Sequence, residues 1–142
     1  MSISVFAENT STGSNILINN TTGAKNVAMG DSAMKSNTTG LNNSALGYSS
    51  LRNNTSGKQN SAVGSYVLWY NTTGNDNTAL GFESLKYNTT GSNNTAIGKQ
   101  SMKANTTGGF NTAIGDGAQL ANSTESYNVS NGNGTLNCAN RW

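Results

Sequence analysis

A triplet of Ala, an aliphatic residue and Gly returns every 17 residues without a slip. It stands at Ala28-Met29-Gly30, Ala45-Leu46-Gly47, Ala62-Val63-Gly64, Ala79-Leu80-Gly81, Ala96-Ile97-Gly98 and Ala113-Ile114-Gly115. A second file keeps the same step at Gly23, Gly40, Gly57, Gly74, Gly91 and Gly108, each closing an Asn-Thr-Thr-Gly segment in which Ser56 once replaces the second Thr. Self-similarity at a fixed period is the signature of a quasi-one-dimensional stack in which each repeat rests on its neighbours. The array is read as residues 9–124. It opens on the weaker copy Asn9 to Gly13 and closes where Asn122-Ser123-Thr124 is followed by Glu125 instead of Gly. Residues 1–8, with Ile3, Val5 and Phe6, form an N-terminal cap or docking segment. Residues 125–142, with Cys138 and Trp142, form a C-terminal cap or docking tail.

Composition alone points the other way. Asn, Thr, Ser and Gly supply 78 of 142 residues and only 33% are hydrophobic, a balance typical of disorder. The order of the residues overrides this, because a disordered chain has no use for a strict register. Composition also narrows the chemistry. There is no His, so the commonest general base and metal ligand is missing. One Cys makes neither an intramolecular disulfide nor a zinc site. A net charge of +2 argues against nucleic-acid binding, and no apolar run is long enough to span a membrane. The opening Met1 to Glu8 has no basic stretch followed by a long apolar one, so no signal peptide is expected.

Two files are large and apolar: Met29, Leu46, Val63, Leu80, Ile97, Ile114, and Met34, Leu51, Leu68, Leu85, Met102, the latter failing at Gln119. Both are expected to point inward. Asn-Thr-Ala-Ile-Gly reads as a strand of four or five residues, and Asn-Thr-Thr-Gly as a turn. The segment between them, such as Phe82 to Tyr87, is either a second strand or one helical turn. Two Asn files, Asn26 through Asn111 and Asn37 through Asn122, are expected to bond along the stack as amide ladders at the strand spacing of about 4.8 Å. N-glycosylation is the competing reading of Asn-x-Thr. The expected fold is therefore all-β, a repetitive parallel β-solenoid or β-roll. Its core, two large apolar side chains per 17 residues, is thin against the entropy of ordering the coil, so further apolar surface is expected to be buried between chains in a closed ring.

Runs such as Asn77-Thr78-Ala79-Leu80-Gly81 and Asn94-Thr95-Ala96-Ile97-Gly98, separated by Asn-Thr-Thr-Gly, resemble repeats of bacteriophage tail-fibre proteins. They are also similar to the Ala-Ile-Gly repeats in the heads of trimeric autotransporter adhesins. The resemblance implies a parallel β-roll of three identical chains, intertwined or side by side. The period of 17 is longer than in the adhesin heads. A phage particle assembles in the host cytoplasm, so a virion location fits a chain without leader or anchor.

The repeated columns build the scaffold, which leaves specificity to the variable ones. Tyr66, Trp69, Tyr70, Phe82 and Tyr87 fall within two adjacent repeats. They are read as a surface aromatic patch, either for a host glycan or for packing between subunits. Half of the eight cations, Lys35, Arg52, Lys86 and Lys103, share one column. This basic column is either a contact for an anionic polysaccharide or a solvated face, and a helical turn would pair Asp31 with Lys35 and Glu83 with Lys86. Asn75-Asp76-Asn77 has too little charge for a calcium loop, and the carboxylates are too scattered for a glycosidase pair. No catalytic residue, metal or cofactor is assigned. The function expected is a structural fibre or adhesin of a phage-like virion, homotrimeric, docked on a neighbouring virion protein through its termini and touching the host surface. The alternatives are an ice-binding or surface-ordering solenoid and a filament subunit that polymerises end to end.

Overall fold

The structure, a computed structural model, describes residues 8–135. Eight three-residue strands follow one another at 17-residue steps: β1 Thr10–Thr12, β2 Val27–Met29, β3 Ser44–Leu46, β4 Ser61–Val63, β5 Thr78–Leu80, β6 Thr95–Ile97, β7 Thr112–Ile114 and β8 Val129–Asn131. They pair in parallel, in sequence order and in strict register, with Ala62 opposite Ala79 and Ala79 opposite Ala96. The chain is thus a β-solenoid with one short strand per coil and, among the described residues, no helix. The expected break at residue 125 comes later, because β8 lies in phase with β7 and Gly132 keeps the place of Gly115. Ile3, Val5, Phe6, Cys138 and Trp142 lie outside the described residues.

One expectation is reversed. Ala of each strand is buried, and the aliphatic residue beside it faces outward: Met29, Val63, Leu80 and Ile114 are 41, 39, 45 and 41% exposed. Successive side chains of a strand point to opposite faces, so Ala and its neighbour cannot both be inside. The core is built from the Ala file and from Met34, Leu51, Leu68, Leu85, Met102 and Gln119, all fully buried. The latter file continues through Gln119 in place of failing there, with both amide atoms of that side chain unpartnered.

The segment between strand and turn is neither a second strand nor a helix. It is a run of tight turns, such as Ala33 N–H to Gly30 O at 3.1 Å and Asn37 N–H to Met34 O at 3.1 Å. Three residues of a typical coil take positive φ without being Gly, as Gln59, Tyr66 and Leu68 do at 58, 58 and 48°. The left-handed region is unfavourable for L-residues. Each such residue is held by a hydrogen bond to another coil: Gln59 N–H to Leu41 O and Tyr66 N–H to Tyr48 O on one side, Leu68 N–H to Ser84 O on the other. The bends are therefore possible only where neighbouring coils are present.

The other half of the interior is polar. Asn60 Nδ2 donates to Asn43 Oδ1 at 3.0 Å and to Gly74 O at 2.9 Å, while its own Oδ1 accepts from the backbone and side chain of Asn77. The second ladder runs alongside, with Asn71 Nδ2 bonded to Asn54 Oδ1 and to the same Gly74 O. The buried glycines sit where the two ladders and the next coil converge. A Cβ on Gly57 would meet Gly74 O at 2.5 Å and the amide oxygen of Asn54 as well. Both Asn files are buried, which closes Asn37, Asn54, Asn71, Asn88 and Asn105 to glycosylation. The second ladder stops at Asn105, because Asn122 turns its Oδ1 to the backbone N–H of Glu125, the residue that replaces the turn glycine.

Two substitutions test this core by reversible denaturation. Asn60→Ala leaves the buried N–H of Asn77 without an acceptor and is expected to cost about 2–4 kcal/mol. Gln119→Leu restores the apolar file and removes two unpartnered buried atoms, and is expected to stabilise the chain by about 1–2 kcal/mol.

Candidate functional site

The variable side chains project from the tight-turn segment, whose inward positions are reserved for the Leu file and its small neighbour. What remains at each coil is a set of outward positions brought into line with those of the coils on either side. This lines up Tyr48, Tyr66 and Phe82 on three successive coils and Trp69, Tyr70 and Tyr87 on two. The first three form an edge-to-face row: Tyr48 and Tyr66 at 5.3 Å between centroids, Tyr66 and Phe82 at 6.2 Å. Tyr66 leans on Trp69 at 5.3 Å, Trp69 on Tyr70 at 4.8 Å, and Tyr70 stacks on Tyr87 at 5.5 Å. All five aromatic residues singled out in the sequence therefore belong to one continuous belt, with Tyr48 as a sixth ring. Tyr48 shares the column of Phe82, which was the available signal for it.

The basic column does not survive as four equivalent cations. Glu83 takes two of them, with Lys86 Nζ at 2.6 Å from one carboxylate oxygen and Lys103 Nζ at 2.7 Å from the other. Gln100 Nε2 adds a third bond at 2.9 Å. The ammonium of Lys86 also lies 5.1 Å from the ring centroid of Trp69 and 5.5 Å from those of Tyr66 and Tyr87, within cation–π range. Lys35 and Arg52 make no ion pair among the described residues. The expected pair of Asp31 with Lys35 is not formed, since Asp31 Oδ1 accepts from the backbone N–H of Ser14 on the preceding coil. Glu83 and Lys86 do pair, although no helical turn brings them together.

These contacts shift the charges in a consistent direction. Lys103, then Lys86, hold the Glu83 carboxyl down to about 2, against the opposing effect of burial. Lys86 is raised, chiefly by its bond to Glu83.

A hollow of about 450 Å³ opens near Ser56, lined by hydroxyls with Lys58 and Asp76 at its edge. Asn75 Oδ1 there accepts from the backbone N–H of Lys58, and Asn77 belongs to the buried ladder, so Asn75, Asp76 and Asn77 do not converge on a common point. Phe110 and Tyr127, one period apart, form a second exposed stack at 5.1 Å that the sequence reading passed over. Among the described residues no three His, Cys, Asp or Glu side chains gather as metal ligands, and no helix is long and apolar enough to cross a membrane. No protein-family model, curated protein or solved structure matches this chain.

The depressed carboxyl gives a pH prediction. A carboxylate whose pKa is lower in the folded than in the unfolded chain adds stability above its ordinary value near 4.5, and that stability is lost as pH falls toward about 2. Wild type is expected to lose more of its thermal midpoint over that interval than Glu83→Gln, in which this linkage is absent. Parallel melting curves for the two proteins across the interval would refute the ion-pair assignment.

Proposed function

We propose that this chain is a structural rod of a phage-like fibre, assembled side by side with copies of itself and exposed on the particle, where it contacts the host surface. The observation that carries the reading is the outward aliphatic file. Met29, Leu46, Val63, Leu80, Ile97 and Ile114 follow one another along the exposed face of a parallel sheet, over about 24 Å at the strand spacing. Scattered apolar side chains on a surface need no explanation, but a continuous file along one face of the sheet marks a place for a partner. The partner best suited to such a file is one with the same axial repeat, which a second copy of the chain supplies at every coil. A rotationally closed set of copies covers the aliphatic file of every chain, and the resemblance of the repeats to trimeric fibres suggests three chains. Attachment to a neighbouring virion protein through the termini belongs to the same proposal.

One observation favours a second reading. Thr78, Thr95 and Thr112 stand beside Leu80, Ile97 and Ile114 on the same flat face, a regular array of hydroxyl and aliphatic groups that would also suit an ice surface. The Thr of the Asn-Thr-Thr-Gly turns contribute less, because hydroxyls such as that of Thr72 are bonded to the backbone of the next coil.

The two readings need the same face in different states. Sedimentation equilibrium is expected to give three times the 14.7 kDa chain mass, independent of concentration. The double variant Leu80→Ser/Ile97→Ser is expected to give a single-chain mass while keeping the coil intact, because neither side chain is in the core. A monomer with thermal hysteresis at micromolar concentration would establish the ice-binding reading instead, and mass growth with concentration would establish an open filament.

A further inference from the structure

We propose that the aromatic belt is a saccharide-binding platform, on which a sugar chain lies along the rod axis with the C–H faces of its rings against Tyr70, Tyr87 and Phe82. This deepens the host-contact part of the proposed function and rests on it. The rings are 40, 41 and 45% exposed, and Tyr48 at the end of the row is 49% exposed, so a large aromatic surface is left open. It is nevertheless held in place. Tyr66 makes edge contacts with three rings, and Lys86 is fixed both to Glu83 and above the Trp69 ring. A surface already ordered loses little freedom when a ligand lands on it, which is what a weakly held surface ligand requires.

The chemistry of the belt selects the ligand class. Tyr70 and Tyr87 stack on one another, so the exposed parts of the belt offer apolar ring area beside and between the stacked rings, and the phenol groups add hydrogen-bonding hydroxyls at the margin. A sugar ring has the matching pair of surfaces, an apolar C–H face and a rim of hydroxyls. Charge argues against a polyanion as the preferred occupant: the two cations within the belt are already directed to one carboxylate, and one of them also to the rings. Periodicity supplies a third reason. The row Tyr48, Tyr66, Phe82 advances one coil at a time, with ring centroids 5.3 and 6.2 Å apart, so a linear ligand can engage several of the rings. A seam between subunits is the competing use of the same rings. The aliphatic sheet face already serves that purpose, and a Glu83–Lys86–Lys103 cluster among the rings suits a solvated site better than a sealed one.

The test is titration of the full chain with cellohexaose, maltohexaose and chitohexaose as neutral probes and polygalacturonate as the anionic one. Calorimetry and tryptophan fluorescence are the readouts, at low and at physiological salt. At least one neutral hexasaccharide is expected to bind, with little dependence on salt. The double variant Tyr70→Ser/Tyr87→Ser is expected to bind about tenfold more weakly, and Phe82→Ser to weaken binding as well, both with native mass and thermal midpoint unchanged. Three results overturn the proposal: no binding of any neutral probe, binding of polygalacturonate alone with steep salt dependence, or a fall in native mass in the Tyr70/Tyr87 variant. Titration reads single rods and assemblies alike. No binding by a trimeric wild-type chain therefore sinks the saccharide site alone, and a monomeric wild-type mass with intact binding sinks the assembly alone.

Discussion

The superposition of each residue on its equivalent 17 positions away is the constraint from which the rest of this structure follows. The coil is so narrow that two amide ladders and a glycine carbonyl occupy half of its interior, and nothing but an identical coil can complete their hydrogen bonds. Asn60 has its side-chain donors met by Asn43 and Gly74, and its acceptor used by Asn77. A shift of one residue would leave buried polar atoms unpaired in every coil at once. A thin apolar core is enough under these terms, since the polar half is fully bonded where the register holds. Where the turn motif degenerates at Glu125 the second ladder stops, whereas the first continues to Asn128, with the Glu125 carbonyl in the place of the glycine carbonyl.

The same constraint shapes the backbone. Leu and Met are uncommon at positive φ, yet here the whole core file from Met34 to Met102 adopts it. The bend folds a short segment into a tight wall, and the cost is offset by hydrogen bonds to the coils above and below. Local preference and global structure disagree at these positions, and stacking decides the outcome. The positions that carry chemistry share this geometry: Tyr66 and Glu83 occupy one left-handed column, held there by bonds to the preceding coil. Rigid placement of the belt is thus a by-product of how the rod turns its corners.

Two outward surfaces stand apart from the conserved interior chemistry of the coil. One is an aliphatic file on the sheet that runs from Met29 in β2 to Ile114 in β7 and gives way to Thr12 and Asn131 in the terminal strands. The other is confined to four coils, where six aromatic rings gather around Glu83 and its two lysines. The proposed assembly rests on the first and the proposed recognition on the second.

Much of this was present in the order of the residues. The 17-residue period determined the solenoid, the parallel register and the Asn ladders, because equivalent positions that coincide along an axis must meet their own kind. It also brought Tyr66, Trp69, Tyr70, Phe82 and Tyr87 onto adjacent coils. The inward or outward sense of each column was not present in the period. Ala and its aliphatic neighbour repeat equally well, and only the three-residue strand, with its alternation of faces, decided that Ala goes in and Leu80 and Ile97 go out. The turn segment was likewise open, since six residues carry no period of their own and their left-handed bends depend on bonds to other coils. Glu83 as the point where two stacked lysines meet was a tertiary outcome too, for it required side chains from two coils to reach one carboxylate. Periodicity is a property of the chain, whereas sidedness and convergence arise only when the coils press against one another.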